Sequence, residues 1–291
     1  MIVYDCPDAL LDRTFTLWRA TPLVYFANKT HSDMIKSLKA HLADTLNLMV
    51  NTERIFSQPE VDTIMDATLE PVQIDDWGSV DRSSRVLELT ITLWYRGRQR
   101  HQAYTIYFLP ATLNRGGLLV DATDYPLLLV QMRNKKLATS VQQWMHREFS
   151  CHTTNFHVSC GTLSALANWW SNTLINDGAN HIRPDNKGSL ELSYHITFSK
   201  DLSSLTFNIS MPQLQKMQKL IQGTDLTMMD LIQEHVYKTT RIKMDYCVLA
   251  QVGTPIAYIS NTGQMKLLSN GVRTRYLEFL SELCDLAGTT L

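Results

Sequence analysis

Long hydrophobic runs are missing from this chain. Runs such as Leu118 to Val120 and Leu127 to Val130 fall far short of the roughly 20 apolar residues that a membrane-spanning helix needs. The opening residues, Met1 to Asp8, hold neither a basic stretch nor an apolar one, so no secretory signal is expected. Glycine (12) and proline (9) are scarce for 291 residues, which excludes collagen, mucin-like stalks and low-complexity linkers. Cysteine is limited to Cys6, Cys151, Cys160, Cys247 and Cys284. An odd, scattered set in a chain this long reads as reduced thiols of a cytosolic or nuclear protein. An excess of charge of one sign is missing too: 27 Lys plus Arg stand against 28 Asp plus Glu, a formal net charge of −1. That excludes a histone-like polybasic chain and leaves room for local basic patches.

The familiar catalytic signatures are also absent. There is no G-x-G-x-x-G after a strand, no G-x-x-x-x-G-K-[ST], no G-x-S-x-G and no H-E-x-x-H. Gly116-Gly117 reads as a turn. Asp75-Asp76 and the pair Asp121 and Asp124 offer carboxylates for magnesium or acid–base work, but acidic residues in loops are common. His146, Cys151, His152, His157 and Cys160 place five metal-ligating types within fifteen residues. Their irregular spacing lacks the paired short intervals of a structural zinc site, so packing and surface roles are expected, with no metal and no cofactor. The balance tilts away from an enzyme.

What is present is 44% hydrophobic and 19% charged residues in 33.3 kDa, enough for one large or two ordinary domains. Leu10, Leu11, Phe15 and Trp18 suggest a first helix ending before Thr21-Pro22. Leu23 to Phe26 suggest a short strand, and Ser32 an N-cap for a helix with Ile35, Leu38, Leu42 and Leu46 inward. Alternation from Leu87 to Tyr95 and from Tyr104 to Phe108 predicts a hairpin. Tyr125 to Gln131 is strand-like, and Lys135 to Phe149 and Leu163 to Leu174 are helical. Residues 176–188 form the richest breaker cluster and mark the boundary between an N-terminal α/β lobe, 1–175, and a C-terminal lobe, 189–291.

The C-terminal lobe reads ββααβββα. Its strands run from Leu190 to Phe198 and from Leu205 to Ile209. A helix follows from Pro212 to Gly223, then one capped by Thr227 and Asp230 running through Tyr237. A long strand from Thr240 to Ala250 comes next, with even-numbered residues inward, then Ile256 to Ile259 and Met265 to Leu268. Asn270 caps the last helix. The fold class expected is α+β, with mainly antiparallel sheets and helices on one face.

Three basic clusters stand out. Arg96, Arg98, Arg100 and His101 crowd the hairpin tip, Arg133, Lys135 and Lys136 begin a helix, and Lys238, Arg241 and Lys243 follow one another later. Such clusters can meet nucleic-acid phosphates, the reading given to Arg96, Arg98, Arg100, Lys135 and Lys136, although a solvated surface explains each one alone. A sheet in the C-terminal lobe must also expose an edge, either blunted or used to accept a partner's strand.

Several stretches carry a resemblance. Thr16-Leu17, Thr21-Pro22-Leu23 and Phe26 are similar to a T-L-x-x-x-T-P-L-x-x-F pattern. Pro126 to Leu129, followed by Trp144, Phe149 and Cys151, is similar to P-L-x-L and W-x-x-x-x-F-x-C. The order of elements from Leu205 to Leu283 agrees as well. In these the chain resembles the centromere protein L (CENP-L) family of the inner kinetochore. The resemblance implies a non-enzymatic scaffold in the nucleus, at the centromere. It implies pairing through the C-terminal sheet with centromere protein N (CENP-N) or a second copy, next to other inner-kinetochore subunits and centromeric DNA, with no membrane. Carried to this sequence, the pairing surface is Lys243, Met244, Asp245, Tyr246, Val248, Ile256, Tyr258 and Lys266. A stand-alone DNA-binding module and an enzyme assembled from distant loops are the alternatives.

Overall fold

Residues 10–50, 62–72, 85–98, 100–111, 121–176, 189–196, 203–254, 257–268 and 273–289 are described in a computed structural model. They cluster into two units, one from 15–156 with 277–289, the other from 10–14 with 157–276.

The first unit opens on a strand, β1 (Thr14–Ala20), where the spacing of Phe15 and Trp18 predicts a helix. The helical reading fails because this strand is buried on both faces. Phe15, Leu17, Trp18 and Ala20 are all inside, so the polar alternation that marks a half-exposed strand is lost. The short β2 (Leu23–Val24) and a 3₁₀ turn at Phe26–Asn28 lead into α1 (His31–Leu46). Its cap is Thr30, two residues before the expected Ser32, with Oγ1 accepting from the Asp33 N–H at 3.2 Å.

Then follow β3 (Met49–Val50), β4 (Thr63–Val72), β5 (Val86–Tyr95), β6 (Arg100–Leu109), β7 (Ala122–Thr123), β8 (Leu127–Gln131), α2 (Lys135–Phe149) and β9 (Thr153–Asn155). Within this unit the strands lie in the order β9, β1, β8, β6, β5, β4, β3, and only the β3–β4 pair is parallel. β2 and β7 pair separately. The β5–β6 hairpin is in continuous register from Leu87↔Phe108 to Tyr95↔Arg100. Leu38 and Leu42 of α1 and Leu137, Val141 and Trp144 of α2 pack on Leu89, Ile91, Ile106, Leu128 and Val130 of the sheet. Each such side chain contributes about 1.5–3 kcal/mol by leaving water.

The second unit contains α3 (Cys160–Asn176), β10 (Ser189–Ile196), β11 (Ser204–Ser210), α4 (Met211–Ile221), α5 (Met228–Thr240), β12 (Cys247–Gly253), β13 (Ala257–Ser260) and β14 (Gln264–Leu267). The strands lie in the order β11, β10, β12, β13, β14, all antiparallel. The segment before β1 lies along β14, with the Asp12 N–H donating to the Leu267 carbonyl at 2.8 Å. Both expected helix starts hold: Pro212 sits in the first turn of α4, and Thr227 and Asp230 form a reciprocal capping box on α5.

The long strand expected from Thr240 to Ala250 is corrected. α5 runs three residues past Tyr237 and stops at Arg241, left-handed at φ 63°. A 3₁₀ turn takes Met244–Tyr246, and strand pairing begins only at Cys247. The inward face is also the opposite one, with Leu249 and Val252 buried and Val248 exposed, because a one-residue shift exchanges the two faces of a strand. An irregularity opposite Ser193 and Tyr194 changes the phase again at Ala250.

The last helix, α6 (Arg273–Thr289), buries Tyr276, Phe279, Leu280, Leu283 and Ala287. Together the units have the expected α+β class with mainly antiparallel pairing. Asp75, Asp76, Gly116, Gly117, Ile256, Asn270 and the breaker run 177–188 lie outside the described residues.

Candidate interaction surfaces

The first surface is a cationic end on the first unit. Tyr95 and Arg100 face each other where β5 passes into β6, and Arg96, Arg100 and His101 are exposed there. The Tyr95 hydroxyl lies 2.8 Å from that of Tyr104 and accepts from Asn134 Nδ2 at 3.0 Å. Asn134 is the N-cap of α2, its Oδ1 accepting from the Lys136 and Leu137 N–H groups. One side chain therefore ties the hairpin tip to the helix start, and two of the three basic clusters meet. Exposed Arg133, Lys135 and Lys136 join Arg96 and Arg100.

The first turn of α2 holds no acidic residue. Its two lysines stand at the positive end of the helix dipole, each opposed by a few tenths of a kcal/mol up to about 1. An anion there relieves both repulsions. Asp62 accepts the Arg96 backbone N–H at 2.8 Å. The third cluster is elsewhere: Lys238 pairs with Glu234 on α5 at 2.6 Å, Arg241 caps that helix, and Lys243 precedes the 3₁₀ turn.

The second surface belongs to the sheet of the second unit. α3 packs on β12 and α4 on β11, and Leu190, Leu192, Tyr194, Ile196, Leu249 and Val252 are buried. Burial pushes the Tyr194 phenol up to about 12, so it stays neutral. The opposite set of side chains is open. Thr206, Asn208, His195 and Val248 are exposed, and Tyr258 and Lys266 half-buried. The register runs Asn208↔Glu191↔Gly253↔Tyr258↔Lys266 straight across five strands. Gly253 is required in this row because the Tyr258 ring lies over it; a Cβ there would stand 2.3 Å from Tyr258 Cε1. Of the residues expected to bind a partner, Val248, Tyr258 and Lys266 share this face. Lys243, Asp245 and Tyr246 are exposed on the preceding turn, and Met244 is buried.

β12 pairs with β10 on one side and, from Gln251 to Gly253, with β13 on the other. The edge is β11, which sequence reading did not single out. Among the described residues it pairs with β10 alone. Its residues, Ser-Leu-Thr-Phe-Asn-Ile-Ser, include no charge and no proline, the devices that blunt an edge.

The His/Cys group is divided between roles. Cys151 is buried, its thiol pushed up to about 11 by that burial, and Sγ donates to the Thr21 carbonyl at 3.1 Å. Cys160 Sγ lies 3.7 Å from the Leu249 carbonyl. Among the described residues no three His, Cys, Asp or Glu side chains converge as a metal site.

A cationic end on one unit, and an uncovered sheet face with an open edge on the other, are the features of a protein that binds other macromolecules. The sequence matches the family described as Centromere protein L over residues 9–288, nearly the whole chain. The chain belongs to the centromere protein L family, structural components of the kinetochore, and is thus a centromere and kinetochore protein of chromosome segregation with inner-kinetochore partners. No curated protein matches the sequence.

Proposed function

We propose that the chain is a non-enzymatic scaffold subunit of the nuclear inner kinetochore. It pairs through its C-terminal sheet with a partner like centromere protein N and links centromeric chromatin to the kinetochore. The observation that carries this reading is the edge strand β11, which among the described residues is paired on one side only and carries no charge or proline, beside an open face bearing Val248, Tyr258 and Lys266. A strand added to β11 satisfies the outward N–H and C=O groups and extends the sheet, while the face supplies side-chain contacts. The cationic end of the first unit supports contact with DNA phosphates, through Arg96, Arg100, Lys135 and Lys136.

The test replaces Thr206 and Asn208 together by lysine. Both are exposed, so the fold loses little, on the order of 0.5 kcal/mol each. Two charges on the edge disfavour a joining strand. Co-purification with the centromere protein N-like partner is expected to be lost, and size-exclusion of the chain alone reads whether pairing with a second copy is lost in parallel. Association unchanged in the double variant removes β11 from the interface.

A further inference from the structure

The chain reverses direction at the end of α2 in a way that brings two histidines together. Ser150 is left-handed at φ 51°, its N–H donating to the Met145 carbonyl, and the Cys151 N–H reaches the same oxygen at 3.4 Å. His152 then returns beside His146, ring centroids 4.3 Å apart at an interplanar angle of 45°. Both rings are exposed, while both backbones are fixed. His146 is in the last turn of a 15-residue helix. His152 is held by its N–H on Thr21 Oγ1 at 2.9 Å and by its carbonyl, which accepts the Thr21 N–H at 3.0 Å.

We propose that His146 and His152 form a two-histidine site for a divalent transition ion, zinc or nickel, with water in the remaining positions. Two neutral imidazoles are the donor set these ions favour, and a small rotation of either ring turns the contact into a chelate. The carbonyl end of α2 adds a favourable partial negative charge for a cation beside His146. The site is distinct from a closed structural zinc centre, which needs four protein ligands. It is a labile surface site.

The experiment uses the full chain with accessible thiols alkylated, which removes exposed Cys160 as a competing ligand. Nickel and zinc are titrated calorimetrically near pH 7.5, and histidine ring signals are followed by NMR. One ion per chain is expected, with paramagnetic broadening by nickel centred on His146 and His152. His146→Ala and His152→Ala are each expected to weaken binding about tenfold or more, because either leaves a single ligand without the chelate. Both positions are exposed, and unchanged circular dichroism establishes that each variant folds. Uptake that persists in the double variant, or none by the parent chain, overturns the proposal.

Discussion

His41 sits on the inner face of α1, 5% exposed, with Nε2 3.0 Å from the Ser140 carbonyl of α2. That geometry makes Nε2 the donor and leaves Nδ1 buried without a partner among the described residues. Burial and the charge of Arg147 outweigh the Ser140 bond and Asp44, and hold the imidazole below its ordinary 6.5. The unfolded chain therefore takes up this proton first as pH falls. Stability is expected to decline below about pH 6.5, with a slope of at most about 1.4 kcal/mol per pH unit for one proton. Glu148 acts lower. Burial alone would raise it, but hydrogen bonds from Lys29 and Ser37, with the charges of Lys29 and Arg147, depress it below its ordinary 4.5. Its contribution is present above pH 4.5 and lost further into acid. Urea midpoints from about pH 7 to pH 5 check the first window. His41→Gln should flatten the curve there, and an unchanged slope would assign the loss to another group.

Among the elements, α2 is the one whose bounds and inward residues were fully legible, since a single face of Leu137, Val141, Trp144 and Met145 meets a complete hydrophobic layer. Its cap joins it to the hairpin, which gives a measurable consequence. Asn134→Ala removes two bonds to backbone N–H groups and one to Tyr95. The expected cost is about 1 kcal/mol, up to about 2, read as a lowered thermal midpoint; a midpoint within error of the parent would deny the cap that role. The hairpin was readable because β5 alternates, but β6 begins at Arg100, inside the expected tip, and Trp94, expected on the polar face, is buried. β1 was not readable, being buried on both faces, and β4 was passed over because Asp66, Glu70, Pro71 and the irregularity between Ile64 and Asp66 interrupt its pattern. Of the residues that the family resemblance offers for partner binding, Val248, Tyr258 and Lys266 share the open face, although the alternation read from sequence turns Val248 inward. The edge at β11 was out of reach, since which strand lies outermost depends on pairings between residues some sixty positions apart, such as Leu192↔Val252.

At the scale of the molecule, charge decides what the cationic end can do. With 27 basic against 28 acidic side chains, the chain as a whole does not attract a polyanion. At physiological salt, screening over about 8 Å confines each charge to its own neighbourhood. What counts is local: Arg96, Arg100, Arg133, Lys135 and Lys136 at one end, brought there by the Asn134–Tyr95 bond. That juxtaposition was not legible in sequence, where the two clusters are more than thirty residues apart. If this end binds duplex DNA, each side chain that meets a phosphate releases condensed counterion, and affinity falls steeply as salt rises. Replacing Arg96, Arg100, Lys135 and Lys136 together by alanine is then expected to lower the slope of log affinity against log salt by about 3–4. The change should be the same for any duplex sequence, because phosphate contacts carry no base information. Fluorescence anisotropy with a short labelled duplex across a salt series measures it. A slope equal to the parent's would leave DNA to the partner, and this end to an acidic protein surface.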